Sequence, residues 1–325
     1  MSYPQYSDVV PECSLYVLSP EPKGVLCVDI ERVAAGVLMR VEVNGIRLFF
    51  EVGGRHLDYK AGEATEQPTL IVLHGAPGFS DHTAFRPDFA LLEDVCRVVY
   101  LDMRGCGRSD DDPNGQYSLE GWADDLVGFC DALEIHKPAV LGNSAGGMVA
   151  AVYGIRHPDH PGKLILSSTQ ARLDPQRCAV VFERLGGAVA REAALDSLER
   201  IGDLSTFAAY GERCMPLYNP TPQGVAFQAA VFRKEVAVAF HTLGGVWHTM
   251  DHLDDLRHVV CPTLVTAGAH DPVTPIEDSE DIVAHLDPSI VQFERFENAG
   301  HGVWHDDPGR AFALLREFIA PDTSR

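Results

Sequence analysis

Pro138-Ala139-Val140-Leu141-Gly142-Asn143-Ser144-Ala145-Gly146-Gly147-Met148-Val149-Ala150-Ala151 joins two different patterns. Residues 139–142 form a short apolar run of strand length, and residues 145–157 form a longer run of helix formers that stops at Pro158. Between them stands G-x-S-x-G. A serine on so sharp a strand-to-helix turn takes a strained backbone conformation and holds its hydroxyl clear of the sheet. Residues two before and two after it must be small, or side chains collide across the turn. Ser144 is therefore the candidate nucleophile, and Asn143 beside it a candidate substrate contact.

Working outward, three more segments fit a nucleophile at that place. His74-Gly75-Ala76-Pro77-Gly78 follows the apolar run Thr69–Leu73. A loop at a strand's carboxyl end can aim backbone N–H groups at a developing negative charge. The expected donors are the N–H groups of Ala76 and of Ala145, the residue after the nucleophile. Pro77 cannot donate, but its ring fixes the turn. Gly75 and Pro77 are placed beside the substrate. Asp271 follows the run Thr263–Ala267, and His301 follows the run Ile290–Phe296 in Asn298-Ala299-Gly300-His301-Gly302. A carboxylate after one strand can hold an imidazole after the next in the tautomer a base needs. The rival acid position, after Lys163–Ser167, reads Ser168-Thr169-Gln170 and offers no carboxylate. His305 is the near rival to His301, which lies closer to the strand end. Acyl transfer through this set requires no metal and no organic cofactor.

The rest of the chain supplies a scaffold. Asn44-Gly45 joins two β-rich runs, 37–43 and 46–52, and this dipeptide favours a two-residue hairpin. From Pro68 onward short strands alternate with helices, including one over 118–133 capped by Ser118. That alternation predicts an α/β architecture, a mostly parallel sheet with helices on both faces. Between 169 and 257 the alternation fails and helical patterns take over, as in 178–185 and 188–201. The domain organisation expected is an extension over 1–36, a core over 37–168 and 258–325, and an inserted helical cap over 169–257.

Composition removes several function classes. A formal net charge of −21 argues against nucleic acid and anionic membranes as partners. The eight cysteines, at 13, 27, 96, 106, 130, 178, 214 and 261, form no CxxC pair, and read as small buried thiols. The first residues have neither the basic start nor the apolar core of a secretory signal. No stretch reaches about 18 apolar residues. A soluble cytoplasmic protein acting on a small molecule is expected.

His74-Gly-Ala-Pro-Gly78, Leu101-Asp-Met-Arg-Gly-Cys-Gly-Arg-Ser109 and Gly142-Asn-Ser-Ala-Gly-Gly147 together resemble the proline iminopeptidase branch of the α/β-hydrolases. Its members read HGGPG, DQRGxGxS and GxSxG in this order. The resemblance spans roughly residues 37–325 and implies the α/β-hydrolase fold, the triad Ser144, Asp271 and His301, and peptide or ester hydrolysis. It also implies acidic residues that hold a substrate's free amino terminus, one directly after the catalytic Asp and one in the cap. Here those positions carry Pro272 and Ala239, and Glu235 or Glu212 could substitute. Cleavage of a small ester or amide is the leading expectation. Aminopeptidase, acyltransferase and ligand-receptor roles on the same scaffold remain open alternatives.

Overall fold

Asn44 and Gly45 turn the chain with φ of 48° and 78°. Two left-handed residues suit the twist of a two-residue hairpin. They fix the register of β3 (Gly36–Val43) against β4 (Ile46–Gly53), with Val43 facing Ile46. The computed structural model describes residues 13–17, 26–33, 36–60, 63–200, 205–222 and 230–321. Ahead of the hairpin, β1 (Cys13–Val17) and β2 (Leu26–Val33) continue the same sheet, each antiparallel to its neighbour. The segment before residue 37 thus adds two strands at one end of the sheet, with β1 outermost. A small separate ribbon, β5 (Leu57–Lys60) with β6 (Glu63–Glu66), was not signalled by the sequence.

The parallel part comprises β7 (Thr69–Leu73), β8 (Arg97–Leu101), β9 (Ala139–Asn143), β10 (Lys163–Ser167), β11 (Thr263–Gly268) and β12 (Val291–Phe296). The sheet order is β1-β2-β3-β4-β8-β7-β9-β10-β11-β12. The chain runs outward from β7 to β8 and then returns to place β9 on the other side of β7. Loops leaving β7 and β9 therefore flank the point where strand order reverses, the place where open α/β sheets carry their sites.

Alternate residues of each central strand enter two cores. Ile71, Leu73, Val140, Leu164 and Val265 pack with Leu126 and Phe129 of α2 (Leu119–Ala132), Met148 of α3 (Ala145–Arg156) and Ile282 of α8 (Ile276–His285). Leu70, Val72, Leu141 and Leu264 pack on the other face with Phe89 of the short α1 (Arg86–Phe89) and Phe312 and Leu315 of α9 (Pro308–Ile319). Ser118 caps α2, its hydroxyl accepting from Gly121 N–H at 3.0 Å. Cys96, Cys106, Cys130, Cys178, Cys214 and Cys261 are buried free thiols.

Between β10 and β11 come α4 (Pro175–Leu195), α5 (Phe207–Arg213), α6 (Lys234–His241) and α7 (Val246–Thr249). The two helical patterns at 178–185 and 188–201 meet in α4, which breaks at Gly187 with φ 72° and passes into a π-helical turn, Asp196–Arg200. Ile201, at the end of the second pattern, lies outside the described residues. Among the described residues no helix is long and apolar enough to cross a membrane.

Candidate active site

Ser144 stands between the last residue of β9 and the first of α3, partly exposed, with φ 54° and ψ −122°. This strained conformation persists because backbone bonds over-determine it. Its N–H is shared between the carbonyls of Ser167 and Ser168, each at 3.1 Å. Its own carbonyl accepts from Thr169 Oγ1 at 2.7 Å and Gly147 N–H at 2.9 Å. The need for small neighbours is steric. A Cβ on Gly142 would lie 2.1 Å from Gly146 O, and one on Gly146 would lie 2.3 Å from Leu73 O.

Asp271 is buried, and four donors converge on its carboxylate. Oδ1 accepts from the N–H groups of Val273 (2.8 Å) and Thr274 (3.0 Å), and Oδ2 from Thr274 Oγ1 (2.9 Å). The fourth is His301 Nδ1, 2.9 Å from Oδ2. A carboxylate only accepts, so Nδ1 carries the proton, and in the neutral imidazole Nε2 is then the basic nitrogen. Gly302 N–H donates to Ser168 Oγ at 3.0 Å, and Ser168 O accepts from Ser144 N–H. One residue thus ties the histidine loop to the serine turn. His305 faces elsewhere, with Nδ1 3.7 Å from Asp88 Oδ2 on α1.

The loop after β7 runs against the serine, since a Cβ on Gly75 would lie 3.0 Å from Ser144 Cβ. Ala76 turns it with φ 41°, and its carbonyl accepts from Phe79 and Ser80 at 2.9 and 3.0 Å. Ala145 opens α3, so its N–H has no partner within the helix. Pro77 is buried, and its carbonyl accepts from the imidazole of His241, which burial holds down at about 4 against that bond. Asn143 is buried with its Oδ1 unpartnered among the described residues. His74 is spent on the loop itself. Burial lowers its pKa, Nδ1 bonds Gly75 O at 2.9 Å, and Nε2 accepts from Met103 N–H at 3.4 Å.

Sequence reasoning missed the role of Asp102. Its Oδ1 accepts from both the N–H and Nδ1 of His82, each at 2.8 Å, and its Oδ2 from Arg108 N–H at 2.9 Å. Gly107 is forced here, because a Cβ would lie 2.2 Å from Asp102 Oδ2. Asp81, His82 and Asp102 are close enough to share a metal ion. Burial pulls the His82 pKa down, yet hydrogen bonds to Asp102 and Glu51 outweigh it and hold the value at about 9. Both ring nitrogens of His82 face carboxylates, Nδ1 at 2.8 Å from Asp102 and Nε2 at 3.5 Å from Glu51, and the set reads as a buried ion cluster. Because the folded value lies above the ordinary 6.5, its stabilisation is complete below about pH 6.5 and is lost as pH rises through 9. The Tm gap between wild type and His82→Gln is expected to be widest near pH 6. It should close by an amount worth on the order of 3 kcal/mol near pH 10. A gap independent of pH would show His82 to be neutral in the folded protein.

The two positions where the resembled branch would carry acids hold uncharged residues here. Pro272 is buried beside Asp271, and Ala239 is half-buried on α6. Glu212 and Glu235 are both exposed. Burial raises the pKa of Asp278 to about 7, and its carboxyl is already bonded to Arg177 of α4.

A family model for the α/β hydrolase fold matches residues 68–308. The proline iminopeptidase of Lactobacillus helveticus is 30% identical over 278 residues, covering 79% of this chain and 92% of that protein. The crystal structure of proline iminopeptidase from Mycobacterium smegmatis superposes with a TM-score of 0.69 at 25% identity, covering 87% of this chain and 97% of that one. A thermophilic esterase from Thermogutta terrifontis gives 0.59 at 30% identity, covering 86% and 97%.

Proposed function

Because the chain belongs to the α/β-hydrolase fold family and resembles its proline iminopeptidase branch, we propose that it is a serine hydrolase cleaving an ester or amide bond of a small molecule through an acyl-enzyme on Ser144. The observation that carries this reading is the 2.9 Å bond from His301 to Asp271 on a loop tied through Ser168 to the Ser144 turn.

His301 Nε2 takes the Ser144 proton as Oγ attacks the carbonyl carbon. Negative charge collects on the carbonyl oxygen, and the N–H groups of Ala76 and Ala145 stabilise it. The C–O or C–N bond then breaks, and the imidazolium returns its proton to the leaving group. Water attacks the acyl-enzyme with His301 again as base, releasing the acid and restoring Ser144. Gly75, Pro77 and Asn143 line the path of the scissile group.

Substrate choice follows from the uncharged Pro272 and Ala239. A buried ammonium without a paired anion costs several kcal/mol, so a neutral acyl group is the better occupant. The test compares prolyl and N-acetyl-prolyl esters by kcat/KM, alongside a series of simple acyl esters. Turnover of neutral esters is expected, with the free amine favoured by less than about 100-fold, roughly 2.7 kcal/mol. A larger preference would instead make the protein an aminopeptidase, in line with its Lactobacillus relative named proline iminopeptidase. No turnover of any ester or anilide would overturn the hydrolase assignment for these classes.

A further inference from the structure

The three loops proposed to carry the chemistry each bond to the segment inserted between β10 and β11. Gly78 O accepts from Arg233 N–H at 2.8 Å, and a Cβ on Gly78 would meet Ala237 Cβ at 2.6 Å. Val273 O accepts from the Cys178 thiol at 3.3 Å. The histidine loop is held hardest. His301 N–H donates to Tyr218 O at 2.7 Å, and the two rings meet nearly edge to face, 5.4 Å apart. Gly300 passes so close that a Cβ there would lie 2.0 Å from Tyr218 O.

Asp306 closes the contact from the other side. Its Oδ2 accepts from Asn219 Nδ2 and from Gly300 N–H, and its Oδ1 from Thr221 N–H, all at 2.8 Å. One carboxylate thus bonds the residue before His301 and two residues of the inserted segment. Hydrogen bonds to a charged acceptor are stronger than neutral ones, and these converge from elements far apart in sequence.

We propose that Asp306, with Tyr218 and Asn219, is a positioning clasp for His301, which holds the base in register with Asp271 only while the inserted segment is seated. This rests on the assignment of His301 as base. Asp306 is a positioning residue and exchanges no proton with the substrate. If the segment lifts, His301 loses the acceptor of its backbone N–H and Gly300 loses its anchor. Turnover then depends on closure as well as on the triad.

The test uses the full chain with Asp306→Ala, Asp306→Asn and Asn219→Ala, read by kinetics and by the far-downfield proton resonance of His301 Nδ1–H. Displacements of about 1 Å at a catalytic group can cost on the order of 100-fold. Asp306→Ala is expected to lower kcat by about 10- to 100-fold with KM changed less than about threefold. The downfield resonance should weaken or broaden. Asp306→Asn keeps one acceptor oxygen and should fall between wild type and alanine. Asn219→Ala removes a single bond of the clasp and serves if Asp306→Ala does not fold. An unchanged resonance and unchanged kcat, with only Tm lowered, would reduce the clasp to a structural contact and overturn the proposal. If the wild type turns over nothing, the hydrolase assignment fails separately, and the resonance still reports whether the clasp positions His301.

Discussion

Ser144→Ala is expected to lower kcat on the best ester by on the order of 10⁶, the loss seen when an acyl-transfer nucleophile is deleted from an intact triad. Some acceleration over water should survive, because the N–H donors of Ala76 and Ala145 are untouched. The fold should survive too. Every bond that holds the turn to Ser167, Ser168 and Thr169 runs through the backbone of Ser144. A fluorophosphonate probe is expected to label wild type on Ser144 and to leave the variant unlabelled. Equal labelling of both proteins, or a variant retaining more than about a hundredth of wild-type turnover, would move the nucleophile elsewhere.

Asp271→Asn is expected to cost about 10⁴ in kcat with Tm little changed. The amide oxygen can still accept from Val273 and Thr274, which preserves the loop. An amide nitrogen facing His301 Nδ1 donates where the carboxylate accepted, so the proton moves to Nε2 and the base is lost. The pair also predicts non-additivity. Ser144→Ala with Asp271→Asn should be no slower than Ser144→Ala alone, since orientation of a base is worthless without a hydroxyl to deprotonate. A double variant slower by a further 10⁴ would mean that Asp271 acts apart from Ser144.

What the sequence revealed is what local sterics and strand order determine. Gly142 is legible because it lies against the Gly146 backbone four residues on, within the same turn, and Asn44-Gly45 because a hairpin needs its two φ values. The candidates Ser144, Asp271 and His301 are legible from the G-x-S-x-G turn and from their places after the runs that form β9, β11 and β12. Long-range pairings left no such mark. Asp102 reads as part of a glycine-rich loop, and only the folded chain brings it to His82 and Arg108. Asp306 reads as an acid next to the cap of α9, and nothing nearby in sequence foretells Asn219 or Gly300. The strands β1 and β2 are not legible, because no Asn-Gly-type dipeptide marks a hairpin ahead of residue 36. The break at Gly187 was visible only as two adjoining helical patterns.

The insertion sits between two strands that are neighbours in the sheet. Thr266 Oγ1 donates to Ser167 Oγ across that seam at 2.9 Å, from residues 99 apart in sequence. Joining these strands closes a very long loop, and the entropy of closure grows only with the logarithm of its length. Halving or doubling the insertion would alter it by about 0.6 kcal/mol. The sheet is therefore almost indifferent to how much chain is looped out there. The constraint falls on the points where the loop touches down, among them Gly78, Val273, His301 and Asp306. Phe182, Val236 and Phe240 of the insertion are buried in the core, so its length is freer to change than these residues are.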